Sequence, residues 1–128
     1  MRLDKLTVKS QEAIARAQSI ARERQHQGIG PAHMLTALLE QKDGVVAPVL
    51  EKLGVAPETV ARETAAALDK TPRVYGQEPG QYLTTPAANI LEDASSEAER
   101  LKDEYISTEH ILLALAGSDD DIGKLLRS

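Results

Sequence analysis

Ile106-Ser107-Thr108-Glu109-His110-Ile111-Leu112-Leu113-Ala114-Leu115 repeats an earlier stretch, Ile29-Gly30-Pro31-Ala32-His33-Met34-Leu35-Thr36-Ala37-Leu38. A shift of 77 residues lays one on the other without a gap, and it also carries Leu6-Thr7 onto Leu83-Thr84, Ala13-Ile14 onto Ile90-Leu91, Ala17 onto Ala94 and Ala21 onto Ala98. The chain is an internal duplication. Two copies are too few for a solenoid, which needs about three units to bury a continuous core. They are expected to pack face to face as one pseudo-two-fold, all-α domain, with function where the halves meet.

The 128 residues suit a single domain with a substantial core. Apolar residues make up 41%, yet there is no Phe and no Trp, and only three Tyr. Leu, Ile, Val and many Ala must therefore build the core, and alanine lets helices approach closely. A formal net charge of −5 argues against nucleic acid, whose affinity for proteins comes largely from a basic stripe. With no cysteine there is neither a disulfide framework nor thiolate chemistry, which suits a reducing compartment. Met1-Arg2-Leu3-Asp4-Lys5-Leu6 is charged and leads into no uninterrupted apolar run. Neither a signal peptide nor a membrane span is read there, and a cytoplasmic protein is expected.

Thr7 is placed to cap a first helix over about Val8 to Gln25, stapled by Leu6, with Ala13, Ile14, Ala17, Ile20 and Ala21 on its apolar face. Gly28 breaks it, and Pro31 suits the first position of a second helix carrying Met34, Leu35, Leu38 and Leu39. Asp43-Gly44 ends that helix. A third, Val45 to Leu53, is closed by Gly54, and Pro57-Glu58 opens a fourth through Val60, Thr64, Ala67 and Leu68. Proline and glycine then mark a linker, flanked by Tyr75 and Tyr82, two aromatics that fit pinning of the loop better than contact with a partner.

The second half follows the same plan: Leu83 as staple, Thr84 or Thr85 as cap, then Ile90, Leu91, Ala94, Ala98 and Leu101 on one face. Ser107 caps the next helix, and a last one runs through Ile122, Leu125 and Leu126. The boundaries expected are repeat one about 1–69, linker about 70–82 and repeat two about 83–128, with about seven to eight helices in all. The first half continues into a fourth helix where the second stops, so the second repeat is expected to be cut short.

Met1-Arg2-Leu3-Asp4-Lys5-Leu6-Thr7, followed by Lys9-Ser10-Gln11-Glu12-Ala13, Ala17-Gln18 and Ile106-Ser107-Thr108-Glu109-His110, resembles the amino-terminal double-repeat domain of the ClpB disaggregases in the Clp/AAA+ chaperone family. The likeness covers essentially the whole chain. It implies a non-enzymatic domain, joined to a homohexameric AAA+ ring, that engages unfolded or aggregated polypeptides beside a DnaK-type chaperone system. The alternative is the adaptor-docking role of the related protease-partner ATPases, whose opening sequence generally differs. No G-x-x-x-x-G-K-[ST] occurs in the chain, so it is expected to hydrolyse nothing, and ATP and magnesium belong to the rest of the protein the resemblance implies.

The resemblance also carries functional polar positions onto Thr7, Asp103 and Glu109, and an apolar groove onto second-repeat helices. Positions that the resemblance allows to be Leu in some relatives are here Asp93, Glu97 and His110, so Leu83, Ile90, Leu91, Ile111 or Tyr82 are expected to supply apolar surface instead. The candidate substrate-binding set is Thr7, Leu83, Ile90, Leu91, Asp103, Glu109 and His110. Thr7 is equally a helix cap, and Asp103 and Glu109 equally solvated acids at helix starts. His33 and His110 occupy matching repeat positions, but no metal-binding spacing accompanies them. A hydrolase built on His110 with Glu109 or Asp103 lacks a nucleophile motif.

Overall fold

The computed structural model describes residues 3–74 and 81–127. After a turn of 3-10 helix at Leu3–Lys5, Thr7 takes extended backbone and its Oγ1 accepts the Ser10 amide, so helix α1 (Val8–Glu23) begins one residue later. Gln25 closes α1 at φ 62, in the left-handed region. Then come β1 (Gly28–Ile29), α2 (Pro31–Glu40), α3 (Val46–Lys52), α4 (Pro57–Asp69), β2 (Tyr82–Leu83), α5 (Thr85–Arg100), α6 (Thr108–Ala116) and α7 (Asp121–Arg127). Gly54 takes φ +80 just after α3, the conformation that relieves a helix end at little cost in glycine. Thr84 caps α5 through the Ala87 amide, as Thr7 caps α1.

The lead-in of each repeat pairs with the other repeat. Leu6 forms a parallel bridge with Ile106, and Leu83 pairs in parallel with Ile29 in the two-stranded sheet β1–β2. Thr7 N–H donates to Ile106 O at 3.0 Å, and Thr84 N–H to Ile29 O at 3.1 Å. These are the same two repeat positions with the copies exchanged. Ser10, fully buried, adds a hydroxyl bond to Ile106 O at 2.9 Å.

α1 packs on α2 and α5 on α6, while α1 also touches α6 and α2 touches α5. One core results, built from Ala13, Ala17, Ile20, Leu35, Leu38, Ile90, Ala94, Ile111 and Leu115. The exchange is unequal in one respect: Leu6 is 4% exposed, whereas Leu83 is 40% exposed and does not act as the buried staple its position in the repeat predicts.

α4 lies along α2 and touches α3 and α7, burying Val60, Thr64 and Leu68. The ends of the inter-repeat segment are tied to the region after α1: Val74 N–H donates to Gln25 O, and Gln81 Nε2 to His26 O. Tyr75, expected beside the linker, lies outside the described residues. No described helix is long and apolar enough to cross a membrane.

Candidate functional site

The two histidines at matching positions are third residues of α2 and α6, and each reaches back to bond the backbone amide ahead of its helix. Ser107 N–H donates to His110 Nδ1 at 2.8 Å, and Gly30 N–H to His33 Nδ1 at 3.0 Å. This is the capping-box geometry in which Glu or Gln is the usual third residue. An amide donor on Nδ1 places the ring proton on Nε2. His110 Nε2 then donates to Asp103 Oδ2 at 2.9 Å, and His33 Nε2 to His26 Nδ1 at 2.8 Å. The 77-residue shift carries His26 onto Asp103, so the two pairs are one device with one changed partner.

His26 and His33 are both buried. Burial, then His26 and Arg24 nearby, pushes His33 from 6.5 down to about 4. Burial first, then Arg24 and Arg73, lowers His26 as well. Among the described residues no cluster of three or more His, Cys, Asp or Glu is arranged to hold a metal ion.

Thr7 and Asp103 come to the same neighbourhood, on either side of Ile106. Thr7 bonds the Ile106 carbonyl through its amide, and Asp103 lines a cleft of about 420 Å3 with Lys5, Glu99 and Ile106. Glu109 lies elsewhere, exposed on α6 and accepting a bond from the Thr108 hydroxyl. It is one residue from His110 but on a different face, which leaves no acid–base pairing between them.

Several expectations about apolar surface are corrected. Ile90, Leu91 and Ile111 are core residues, and His110 is buried by its own cap, so none offers a contact surface. The apolar face of α5 is spent on α6. The outer face of α5 is charged: Asp93 is exposed, and Glu97 accepts two bonds from Arg100. Tyr82 and Leu83 are exposed, and Tyr82 lines a broad cleft of about 630 Å3 with Pro31, Pro72, Pro86 and the carboxylates Asp120 and Asp121.

The groove the structure does present lies between α3, α6 and α7. It has a volume of about 270 Å3 and is lined by Val45, Val46, Val49, Leu50, Leu53, Val55, Leu112, Leu113, Ala116 and Leu126, with Glu109 as the lone charged residue. Leu53 and Leu113 are largely exposed along it. Of the candidate residues, Glu109 alone stands here. The remaining groove residues are not among the candidates, although Ile111-Leu112-Leu113 is legible as a run too wide for one buried face of a helix.

The model of the Clp repeat (R) N-terminal domain matches residues 5–128. The chain is 42% identical over 120 residues to the chaperone protein ClpB of Mycobacterium tuberculosis, covering 94% of this chain and 14% of that protein. The chain thus spans about one seventh of the length of such relatives. The N-terminal domain of Hsp104 from Candida albicans superposes with a TM-score of 0.85 at 21% identity, over 96% of this chain and 80% of that one. A ClpV N-domain solved in complex with a VipB peptide superposes at 0.79 with 23% identity, over 96% and 77%. At these identities the likeness is one of fold, and it is all-α throughout.

Proposed function

The chain belongs to the Clp N-terminal repeat family, and on that footing we propose that it is the client-engaging module of a longer ATP-driven disaggregase, holding apolar segments of unfolded or aggregated polypeptide. The α3/α6/α7 groove carries this reading. It gathers Val, Leu and Ala into one concave strip, with Leu53 and Leu113 exposed along it and a single carboxylate at the rim. A domain of the same fold solved with a bound peptide supports it.

A shallow strip buries little area, and a disordered client loses entropy on being ordered, so the hold is weak. Weakness suits a module that must hand its client on. Copies arranged around a hexameric ring raise the effective concentration for a client with several apolar segments. ATP and magnesium act in the ring, the cytoplasm is the compartment, and a DnaK-type chaperone system acts through other domains. Docking of one folded adaptor is the alternative, and the same titration separates the two.

In that experiment the 15N-labelled chain is titrated with a permanently unfolded polypeptide. Amides of 45–55 and 109–116 are expected to shift together, saturating at high micromolar concentration or above. Shifts confined to other surfaces, or no response to the unfolded polypeptide alongside saturation by a folded protein, would overturn the reading.

A further inference from the structure

The pseudo-two-fold leaves two inter-repeat junctions, and each stands between the members of one histidine pair. Ile29, which pairs with Leu83, lies between His26 and His33 in the sequence, and Ile106, which bridges to Leu6, lies between Asp103 and His110. The first junction also carries both flanks of the inter-repeat segment. Val74 N–H donates to Gln25 O at 2.8 Å, Gln81 Nε2 to His26 O at 3.2 Å, Tyr82 N–H to Gln27 O at 3.2 Å and Thr84 N–H to Ile29 O at 3.1 Å.

Two differences between the copies decide what each pair does with an added proton. The partner of the capping histidine is His26 in one copy and Asp103 in the other, and the residue at the cap is Gly30 in one and Ser107 in the other. With both rings neutral, His33 Nδ1 accepts the Gly30 amide and His26 Nδ1 accepts the proton on His33 Nε2. Each acceptor nitrogen is thus engaged, and a proton added to either sets a donor against a donor. Gly30 has no side chain to receive it. At the other junction a proton on His110 Nδ1 meets the Ser107 hydroxyl oxygen, 3.0 Å away, and the resulting cation faces the Asp103 carboxylate at 2.9 Å.

The surroundings of the first pair do not supply the missing anion. Arg24, just past α1, and Arg73, beyond α4, both disfavour a cation there, and Asp69 of α4 is engaged by Arg24 at 2.8 Å. Asp120 and Asp121 share a cleft with His33, but Asp120 accepts the Ser118 hydroxyl and the Gly123 amide, and Asp121 is exposed. The closed junction holds His33 at about 4, whereas an opened one returns it to its ordinary 6.5, so acid drives opening between those values.

We propose that His26 and His33 form an acid-operated latch on one of the two junctions. Proton uptake opens the pairing of Ile29 with Leu83 and frees Val74 and residues 81–84 from residues 25–29, while the pairing of Ile106 with Leu6 stays closed. The repeats then remain joined through one junction instead of two.

The test is amide hydrogen exchange of the whole 128-residue chain, followed by NMR from pH 7.5 to pH 4.5 with each rate corrected for the intrinsic pH dependence of exchange. Exchange at Tyr82 and Thr84 should speed up by as much as about tenfold per pH unit in acid, the dependence of a single proton, and at pH 5 it should be faster than at Thr7 and Ile106. His26→Asp combined with Gly30→Ser copies the second junction onto the first, and a Cβ at Gly30 meets nothing nearer than 3.6 Å, so the serine fits. That double variant should lose the acid dependence at Tyr82 and Thr84. So should His33→Gln, which keeps an acceptor for the Gly30 amide.

Rates at Thr7 and Ile106 that match those at Tyr82 and Thr84 at pH 5 would overturn the proposal. An acid dependence as steep as the wild type's in His33→Gln would overturn it too, and that outcome decides even where the double variant fails to fold.

Discussion

His110 Nε2 lies 2.9 Å from Asp103 Oδ2, and His33 Nε2 lies 2.8 Å from His26 Nδ1, the members of each pair standing seven positions apart. The Asp103 carboxylate is therefore structural, orienting the ring that caps the start of α6. Asp103→Ala should cost about 0.5–1 kcal/mol, the low end for a hydrogen bond because the carboxylate is half exposed. Asp103→Asn, which still accepts from Nε2–H, should cost less. Urea unfolding of the two variants checks this, and any client-binding loss in Asp103→Asn at unchanged stability marks a separate contact.

The histidine pair of the first repeat makes stability depend on acid. His33 is depressed from 6.5 to about 4, so between those values the unfolded chain binds a proton that the folded chain refuses. Stability is complete above the unfolded value and falls as pH drops toward the folded one, by up to about 1.4 kcal/mol per pH unit for one group. His26, also lowered, acts in the same direction. Denaturant midpoints at pH 7.5 and pH 5 should therefore differ more in the wild type than in His33→Gln, whose amide oxygen can still accept the Gly30 amide.

Leu6 and Leu83 hold the same repeat position but sit in different surroundings, at 4% and 40% exposure. Leu6→Ala should cost about 2–4 kcal/mol through the cavity it leaves. Leu83→Ala should cost less than about 1 kcal/mol. Thermal unfolding of the pair measures the asymmetry directly.

Thr7 Oγ1 accepts the Ser10 amide at 3.1 Å and donates to the Ser10 hydroxyl, which in turn donates to Ile106 O. Thr7→Ala should cost about 1–2 kcal/mol, since it removes a cap and the hydroxyl partner of Ser10. Thr7→Ser should sit near the wild type on the same thermal scale.

Helix starts are the most legible feature of the sequence. Thr7, Pro31, Pro57, Thr84 and Ser107 each signal a local event, and local events do not depend on the rest of the fold. The duplication foretells which copies match, but not that Leu6 and Leu83 exchange partners with Ile106 and Ile29, a non-local pairing only two residues long in the sheet. The groove is harder still. Periodicity marks Ile90, Leu91 and Leu113 alike as apolar, and only packing decides that α5 spends its face on α6 while α6 keeps Leu113 outside. His110 is legible as polar, but its role as a cap needs the third-residue geometry that a histidine does not advertise.

The central claim is that the α3/α6/α7 groove, rather than the Tyr82 cleft or the acidic face of α5, holds the client. The most direct measurement is the dissociation constant of a fluorescent, permanently unfolded polypeptide for the wild type, Leu113→Asp and a Tyr82→Ala/Leu83→Ala double variant, with thermal midpoints recorded for each. The groove reading predicts at least about a tenfold loss for Leu113→Asp, about 1.4 kcal/mol, with little change for the double variant and similar midpoints throughout. Unaltered affinity in Leu113→Asp, or a loss confined to the double variant, would contradict it.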